Sequence, residues 1–398
     1  MTQFVRPRFT VLCRSFPAFQ LCGYTGLFLA FVQSSLLVHH IHLSHLVLLG
    51  MTAVVVITFF AVVMATKLIT GKEQIIYYHH EIAVLTMLAL FLRLMHQPLL
   101  AYLDIASLGI GLFLACGRIG CLMVGCCHGR ACKWGVCYTE EHAAAGFPSY
   151  LVGVRLFPIQ LVESIFVLGV VLTGIMAILR QSPPGTALLL YIVGYGIGRF
   201  WLEFFRGDAA RPYWWGFSQA QWISLLLAIA VLTAERARIV PAAPWHWIAA
   251  AALLFSLVLA IVWRHFDRSQ QFELLQPRHV EEIIGALRLV KLGSRQPDSE
   301  PGEMPVIHVA ETSLGYRFST GRSSVGPNVV AHYTVSRTNG ALSLKAGQVL
   351  SRLIAHLEQR RENVQVIRGD SGVLHLIFRV IGDNLASERL VGQRMAST

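Results

Sequence analysis

Arginine, glutamate and tyrosine recur in this sequence at places where a lipid-facing helix excludes them. The stretch from Gly194 to Pro212 reads GYGIGRFWLEFFRGDAARP. At about 100° per residue, Tyr195, Arg199, Glu203 and Arg206 fall within one ~80° arc of a helix. A phenol, two guanidiniums and one carboxylate then share a stripe. Within that stripe the surplus is positive, and a fixed guanidinium binds phosphate oxygens bidentately. The competing reading is an Arg–Glu–Arg ladder that only locks helices together. Gly194, Gly196 and Gly198 beside the stripe allow another helix or a lipid to come close. A second segment, ACGRIGCLMVGCCHG from Ala115, brackets Arg118 with Gly117 and Gly120 and leaves its guanidinium beside bare backbone. A third, FPIQLVE from Phe157, places Pro158 at a helix start and Gln160 and Glu163 on one face.

Six of the eight cysteines lie between Cys116 and Cys137, and only Cys13 and Cys22 lie elsewhere. Cys116, Cys121, Cys126, Cys127, Cys132 and Cys137, with His128, offer soft ligands for zinc or an iron–sulfur cluster. Four residues separate most neighbours, unlike the close pairs of zinc modules, so no metal is expected. A disulfide joining Cys126 or Cys127 to Cys132 or Cys137 fits an oxidising face better. His39, His40, His42 and His45 read as an interfacial group. His79 and His80 offer imidazoles near neutral pKa, or an interfacial pair without chemistry.

The elements that must hold these groups are membrane helices. Of 398 residues, 55% are hydrophobic and 14% charged, against about a quarter charged in soluble domains. Residues 1–264 hold 17 Lys/Arg and 9 Asp/Glu, whereas residues 265–398 hold 16 and 13. A bilayer core needs about 20 apolar residues per helix, which predicts about eight spans. They fall near 18–38, 45–66, 81–97, 102–124, 159–179, 185–205, 218–234 and 245–263. Arg6, Arg8 and Arg14 precede a first span that is retained rather than cleaved. Asp104, Arg118, Glu163, Arg199, Glu203 and Arg206 lie in or beside spans, where each charge costs about 2.5–3.5 kcal/mol and usually serves function.

Beyond the last span, an amphipathic helix over 271–292 and a Pro/Gly/Ser-rich linker at 293–305 occupy the segment 265–304. Residues 305–398 then form a small α+β domain. Its strands are expected at 306–310, 315–319, 329–336, 364–368 and 373–380, and its helix runs from Ser343 to about Arg361. The fold class is an α-helical polytopic membrane protein of about 7–8 spans with a small C-terminal α+β soluble domain. Its net charge of +11 suits anionic headgroups, and no basic cluster with interleaved aromatics points to nucleic acid.

Taken together and in order, LDIASLGIGLFLACGRIGCLMVGCCHG, KWGV, FPIQLVE and YGIGRFWLEFFR resemble the signature regions of the prolipoprotein diacylglyceryl transferases. Tyr24 in GYTGLFLAF resembles that family's first-span tyrosine. The likeness covers about residues 18–234. It departs at Cys121, where the family has Asn, at Phe157, where it has His, and at Tyr77-Tyr78-His79-His80-Glu81, where a His-Gly-Gly motif is expected.

The resemblance implies transfer of a diacylglyceryl group from phosphatidylglycerol to the lipobox cysteine of a prolipoprotein signal peptide, in the bacterial inner membrane. It implies neither cofactor nor metal. Arg118 and Arg199 would bind the phosphate, with Tyr195, Glu203, Arg206, Gln160 and Tyr24 around the lipid. His79 or His80 would take the thiol proton, with Glu163 as the other acceptor. The alternatives are a family member that binds lipid without transferring it and a Cys-rich metal or redox membrane protein. The tail domain is not expected to be needed for the chemistry. Eight spans put both chain ends on the side of the Cys-rich loop, which in the family is the periplasmic, catalytic side. Seven would send the tail to the cytoplasm. Arg6, Arg8, Arg14, Lys67 and Lys72 on the loop side run against the positive-inside tendency.

Overall fold

A computed structural model describes residues 5–11, 14–71, 77–209, 212–266, 271–293, 307–325, 328–338, 340–358, 364–369 and 372–380. The expected linker at 293–305 lies almost wholly outside the described residues. The chain opens with a hairpin, β1 (Arg8–Val11) and β2 (Arg14–Pro17), and enters α1 (Ala18–His40), α2 (His45–Thr70), α3 (Tyr77–Leu94) and α4 (Leu99–Val124). The Cys-rich loop follows, with β3 (Ala131–Cys137), α5 (Glu140–Ala144) and β4 (Arg155–Leu156), before α6 (Ile159–Leu179). The sixth expected span runs from α7 (Thr186–Leu189) into α8 (Gly196–Leu202). A small hairpin, β5 (Tyr213–Trp214) and β6 (Phe217–Ser218), leads to α9 (Gln219–Arg236) and α10 (Pro244–Phe266).

Among the described residues, six helices are long and apolar enough to cross a membrane: α1, α2, α4, α6, the α7–α8 stretch and α10. The other two expected spans form as 18-residue helices, α3 and α9, packed against α2 and α10. Both are more polar at their ends, with His79, His80 and Glu81 opening α3 and Glu235 and Arg236 closing α9. The bundle core draws Leu37 and Val38 from α1, Leu88 and Leu92 from α3, Tyr102, Ile105 and Leu108 from α4, and Val167 and Val171 from α6. Two glycines set its spacing. A Cβ on Gly26 would lie 2.8 Å from Cys116 Cβ, so α1 lies directly on α4. A Cβ on Gly198 would lie 2.0 Å from the Phe166 ring of α6, whereas Gly194 and Gly196 have ordinary contacts.

Asp104, one of the intramembrane charges, has a structural role. Its carboxylate accepts hydrogen bonds from the backbone N–H groups of Gly185 and Leu188, both at 2.7 Å. It thereby satisfies donors that the start of α7 would otherwise leave orphaned in the apolar bundle. Each such donor left unpaired costs about 1–3 kcal/mol.

The tail is one body with the helices that lead into it. Strands β7 (Ala310–Glu311), β8 (Tyr316–Val325), β9 (Asn328–Arg337), β10 (Val364–Arg368) and β11 (Leu374–Val380) form an antiparallel sheet of order β10-β11-β9-β8-β7. Its inner face, including Phe318, Tyr333, Leu376 and Phe378, buries Leu350 and Ile354 of α13 (Leu344–Leu357). The same core takes Leu274 of α11 (Gln271–Leu274) and Ile283, Leu287 and Val290 of α12 (Pro277–Gly293). The expected amphipathic helix therefore belongs to the domain rather than to a linker, because the sheet would otherwise expose one face.

The side on which the tail lies relative to the loop is fixed by packing. Val5 ahead of α1, Leu122 at the end of α4, Val136, Tyr138 and Leu156 of the Cys-rich loop, and Ile284 of α12 share one apolar cluster. Arg288 of α12 stacks over the Tyr150 ring, and Arg278 Nε donates to Ala209 O at 3.2 Å. Both the start of the chain and the tail sit on the loop side. An odd number of crossings is thereby excluded, and the seven-span arrangement with it.

Helix α13 packs on β3, and there His356 meets Lys133 as well as Arg352. Burial and these two cations push the imidazole below its ordinary value of 6.5. The folded state therefore holds fewer protons than the unfolded one between the lowered value and 6.5, and stability in that window rises with pH. Contact between tail and loop should loosen as pH falls below about 6.5. Amide protection factors in α13 and β3, taken relative to the intrinsic exchange rate at each pH, should fall on acidification, and His356→Gln should reduce that pH dependence.

Candidate active site

The charged side chains singled out in the sequence converge on Glu163, one turn into α6. Its Oε2 lies 3.0 Å from Arg118 Nε and 3.5 Å from Arg206 Nη1, and its Oε1 lies 3.8 Å from Arg199 Nη1. Tyr195 donates its hydroxyl to Glu163 Oε1 at 2.9 Å. Arg199 Nη2 reaches Glu203 Oε2 at 2.8 Å, one helical turn away. Glu163, Arg118, Arg199, Glu203 and Arg206 are all buried. Removing such charges from water costs several kcal/mol each, which only close pairing offsets.

The helix carrying Tyr195 and Arg199 is not regular. After α7 the chain widens into a π-helical segment, Leu190–Tyr195, then returns to α8 and tightens to a 3-10 turn at Glu203–Phe205. Such π segments occur often at functional sites, where they re-aim side chains. The single 100° stripe drawn from sequence therefore holds for Arg199 and Glu203 but not through Arg206. Arg206 has left the helix, with extended backbone, and bridges Gly129. Arg130 N donates to Phe205 O at 3.0 Å and Gly207 N to His128 O at 2.9 Å. The segment 128–130 is thus clamped against 205–207, and the approach is so close that a Cβ on Gly207 would sit 2.3 Å from Gly129 O.

A carboxylate that the sequence reading did not assign, Asp208, completes the balance by accepting from Arg206 Nε at 2.9 Å. The three guanidiniums that face Glu163 are thereby matched by three carboxylates, and a fourth, Arg130, lies near Glu203 and donates from Nε to Arg206 O at 3.3 Å. The surplus in the stripe is cancelled by Asp208, which only the backbone turn at Gly207 brings back. Hydrogen bonding is still incomplete. Arg118 Nε is close to Glu163 but misaligned for a hydrogen bond, and Arg199 Nη1 also lacks an acceptor among the described residues. These buried donors, aimed at one carboxylate, mark where an entering oxyanion would find hydrogen bonds.

Gln160 is fully buried beside the cluster and donates to Cys126 O at 2.8 Å. Tyr78 lies beside Ser224 and is close enough to Arg199 to feel its charge. Its neighbours diverge: His79 is exposed and sits 3.3 Å from the Gln219 amide, and His80 is buried with its ring 4.9 Å from that of Phe59. Among the described contacts neither imidazole touches Glu163 or the arginines. Tyr24 is 70% exposed on α1 and stands apart from the cluster. Glu81 bonds Tyr191, whose ring stacks on Tyr195 at 5.7 Å, so α3 connects to the cluster through phenols. Tyr78 adjoins His79 and Asp208 lies two residues after Arg206, and this closeness to residues already chosen is the signal that would have found them.

The expected disulfide between Cys126 or Cys127 and Cys132 or Cys137 is not formed. All four are free thiols, with Cys126 and Cys127 gathered near Cys121 and the other two on β3. The αL turn at Gly125 and Cys127 folds the chain back on α4 and sets this grouping. His128 Nδ1–H donates to Gly129 O at 3.0 Å, and burial holds its pKa below the ordinary value.

A bundle of apolar helices with three arginines buried around one glutamate defines a polytopic membrane protein with a charge cluster inside its helices. Comparison with known proteins is specific. The family described as prolipoprotein diacylglyceryl transferase matches residues 75–234. A phosphatidylglycerol–prolipoprotein diacylglyceryl transferase of Dehalococcoides mccartyi is 36% identical over 145 residues, covering 36% of this chain and 53% of that protein. The Clostridium tetani protein of the same name is 32% identical over 154 residues, covering 37% and 59%. That of Streptococcus agalactiae is 31% identical over 149 residues, covering 37% and 55%. The chain spans about half the length of the curated relatives it matches.

Replacing Glu163 with Gln leaves three guanidiniums facing one another without their central anion. By analogy with broken buried ion pairs, the loss should be about 3–5 kcal/mol. The melting temperature in detergent should fall, and an anionic lipid should restore it more than a neutral one. An unchanged melting temperature would contradict the assigned role.

Proposed function

We propose that this protein transfers a diacylglyceryl group from phosphatidylglycerol to the lipobox cysteine of a prolipoprotein signal peptide, in the bacterial inner membrane. The observation that carries the reading is the convergence of Arg118, Arg199 and Arg206 on Glu163, within the segment that matches the family.

The thiolate attacks the glycerol carbon that bears the phosphate. A carbon–sulfur bond forms, the carbon–oxygen bond breaks, and glycerol phosphate leaves with the electron pair. Charge develops on the departing phosphate, so fixed cations in a dry site lower the barrier. Arg118 and Arg199 meet this need. In the resting protein Glu163 occupies the place that the phosphate takes, and the entering anion draws the guanidiniums from it. Tyr195 holds Glu163, Glu203 holds Arg199, and Asp208 holds Arg206. Gln160 lines the loop side of the same space, and Tyr24 faces the lipid.

The thiol proton needs an acceptor near neutral pKa. Glu163 is engaged by three arginines and is a poor one. The first turn of α3 offers His79 and His80 beside Tyr78, which lies close enough to Arg199 to feel its charge. His79 is exposed where an incoming thiol can meet it, and we assign it the proton, with His80 packed behind. The tail contributes none of these groups, which all precede Ala209.

The test is complementation of a transferase-depleted bacterium, with the mass of a reporter lipoprotein as readout. The wild-type chain should restore the diacylglyceryl mass increment. Arg118→Ala and Arg199→Ala should each lower transfer at least a hundredfold while still inserting, since loss of one oxyanion donor costs about 10²–10³. Normal transfer by either variant overturns the phosphate assignment. A wild-type chain that inserts without transfer favours the lipid-binding alternative.

A further inference from the structure

We infer that Cys121, Cys126 and Cys127 form a binding site for one soft, thiophilic metal ion at the loop end of α4. Cysteine spacing alone argued against a metal, because no pair had the separation of a zinc module. The fold changes this. Helix α4 ends at Val124, Gly125 takes a left-handed conformation with φ 84°, and Cys127 does so with φ 55°. The chain doubles back, and the three sulfur atoms come within 4.8 Å of one another.

That separation is close to what a metal requires. At a metal–sulfur distance of about 2.3 Å, three thiolates around one ion stand roughly 4 Å apart. Closing the remaining gap takes less than about 1 Å, within the reach of a side-chain rotation. The burial is graded: Cys121 is buried, Cys127 half-buried and Cys126 exposed. An ion can thus enter from the loop side and be held against the helix end.

Charge favours the same occupant. Binding releases the three thiol protons to solvent, and each sulfur donates an electron pair to the ion. The product with a monovalent ion carries two net negative charges. Arg118 and Arg206 act directly on Cys127, and Arg118 also acts on Cys121, so the complex forms beside fixed cations. Thiolate donors select copper(I) or zinc among biological ions. Three sulfurs satisfy copper(I). Zinc would complete its four-coordinate shell with solvent at the Cys126 side.

The test uses the full-length protein, reduced and anaerobic in detergent, titrated with copper(I) and separately with zinc(II) against a chromophoric chelator for each. One equivalent of at least one of the two ions should be retained, with Cys121, Cys126 and Cys127 protected from alkylation. Affinity should fall at least tenfold in Cys126→Ser, whose exposed side chain makes that variant safe for folding, and in Cys127→Ser. The double variant Cys132→Ser/Cys137→Ser should retain the ion as the wild type does. The inference fails if neither ion is retained, if binding survives both Cys126→Ser and Cys127→Ser, or if it is lost with Cys132 and Cys137.

Discussion

One buried carboxylate governs the arrangement of this membrane domain. Glu163 must be present because three guanidiniums, from α4, α8 and the segment after it, are forced together in an apolar bundle. Without an anion between them their repulsion and desolvation would drive the helices apart. With one they link three stretches of chain. The π-helical segment before Tyr195, the clamp between 128–130 and 205–207, and the close approach at Gly198 all place a guanidinium or its helix within reach of that point.

In this arrangement each guanidinium facing Glu163 is matched by a carboxylate at rest. A bare surplus of positive charge would be expensive to bury. In the proposed reaction, a displaceable carboxylate would keep the arginines ordered until a phosphate took its place, so that little reorganisation would be needed when charge develops. Asp104 shows the contrasting use of a membrane acid. It is bonded to two backbone N–H groups at the start of α7 and is fully engaged in structure.

Much of this was legible in the sequence. Apolar runs of bilayer length located all eight helices within a few residues, because hydrophobic length is set by the membrane rather than by distant contacts. Alternation likewise located the strands β8 to β11. Rare charges in those runs named Arg118, Glu163, Arg199 and Glu203 as one site. What stayed hidden depends on departures from regular geometry. A 100° wheel cannot show that the helix ends before Arg206, nor that Gly207 turns Asp208 back to it. Nor can spacing show that left-handed residues at Gly125 and Cys127 bring three sulfurs together. The tail's connection to α12 was hidden for another reason: amphipathicity reveals a buried face but not its partner.

The central claim, that the arginines around Glu163 are held ready for a lipid phosphate, is tested most directly by lipid retention. Native mass spectrometry of the purified protein would compare phosphatidylglycerol with diacylglycerol of the same acyl chains, which lacks the phosphate. The account predicts that phosphatidylglycerol is retained at least about tenfold more strongly, a difference of roughly 1.4 kcal/mol, and that the preference disappears when Arg118 and Arg199 are both replaced by alanine. Equal retention of the two lipids by the wild-type protein would contradict it.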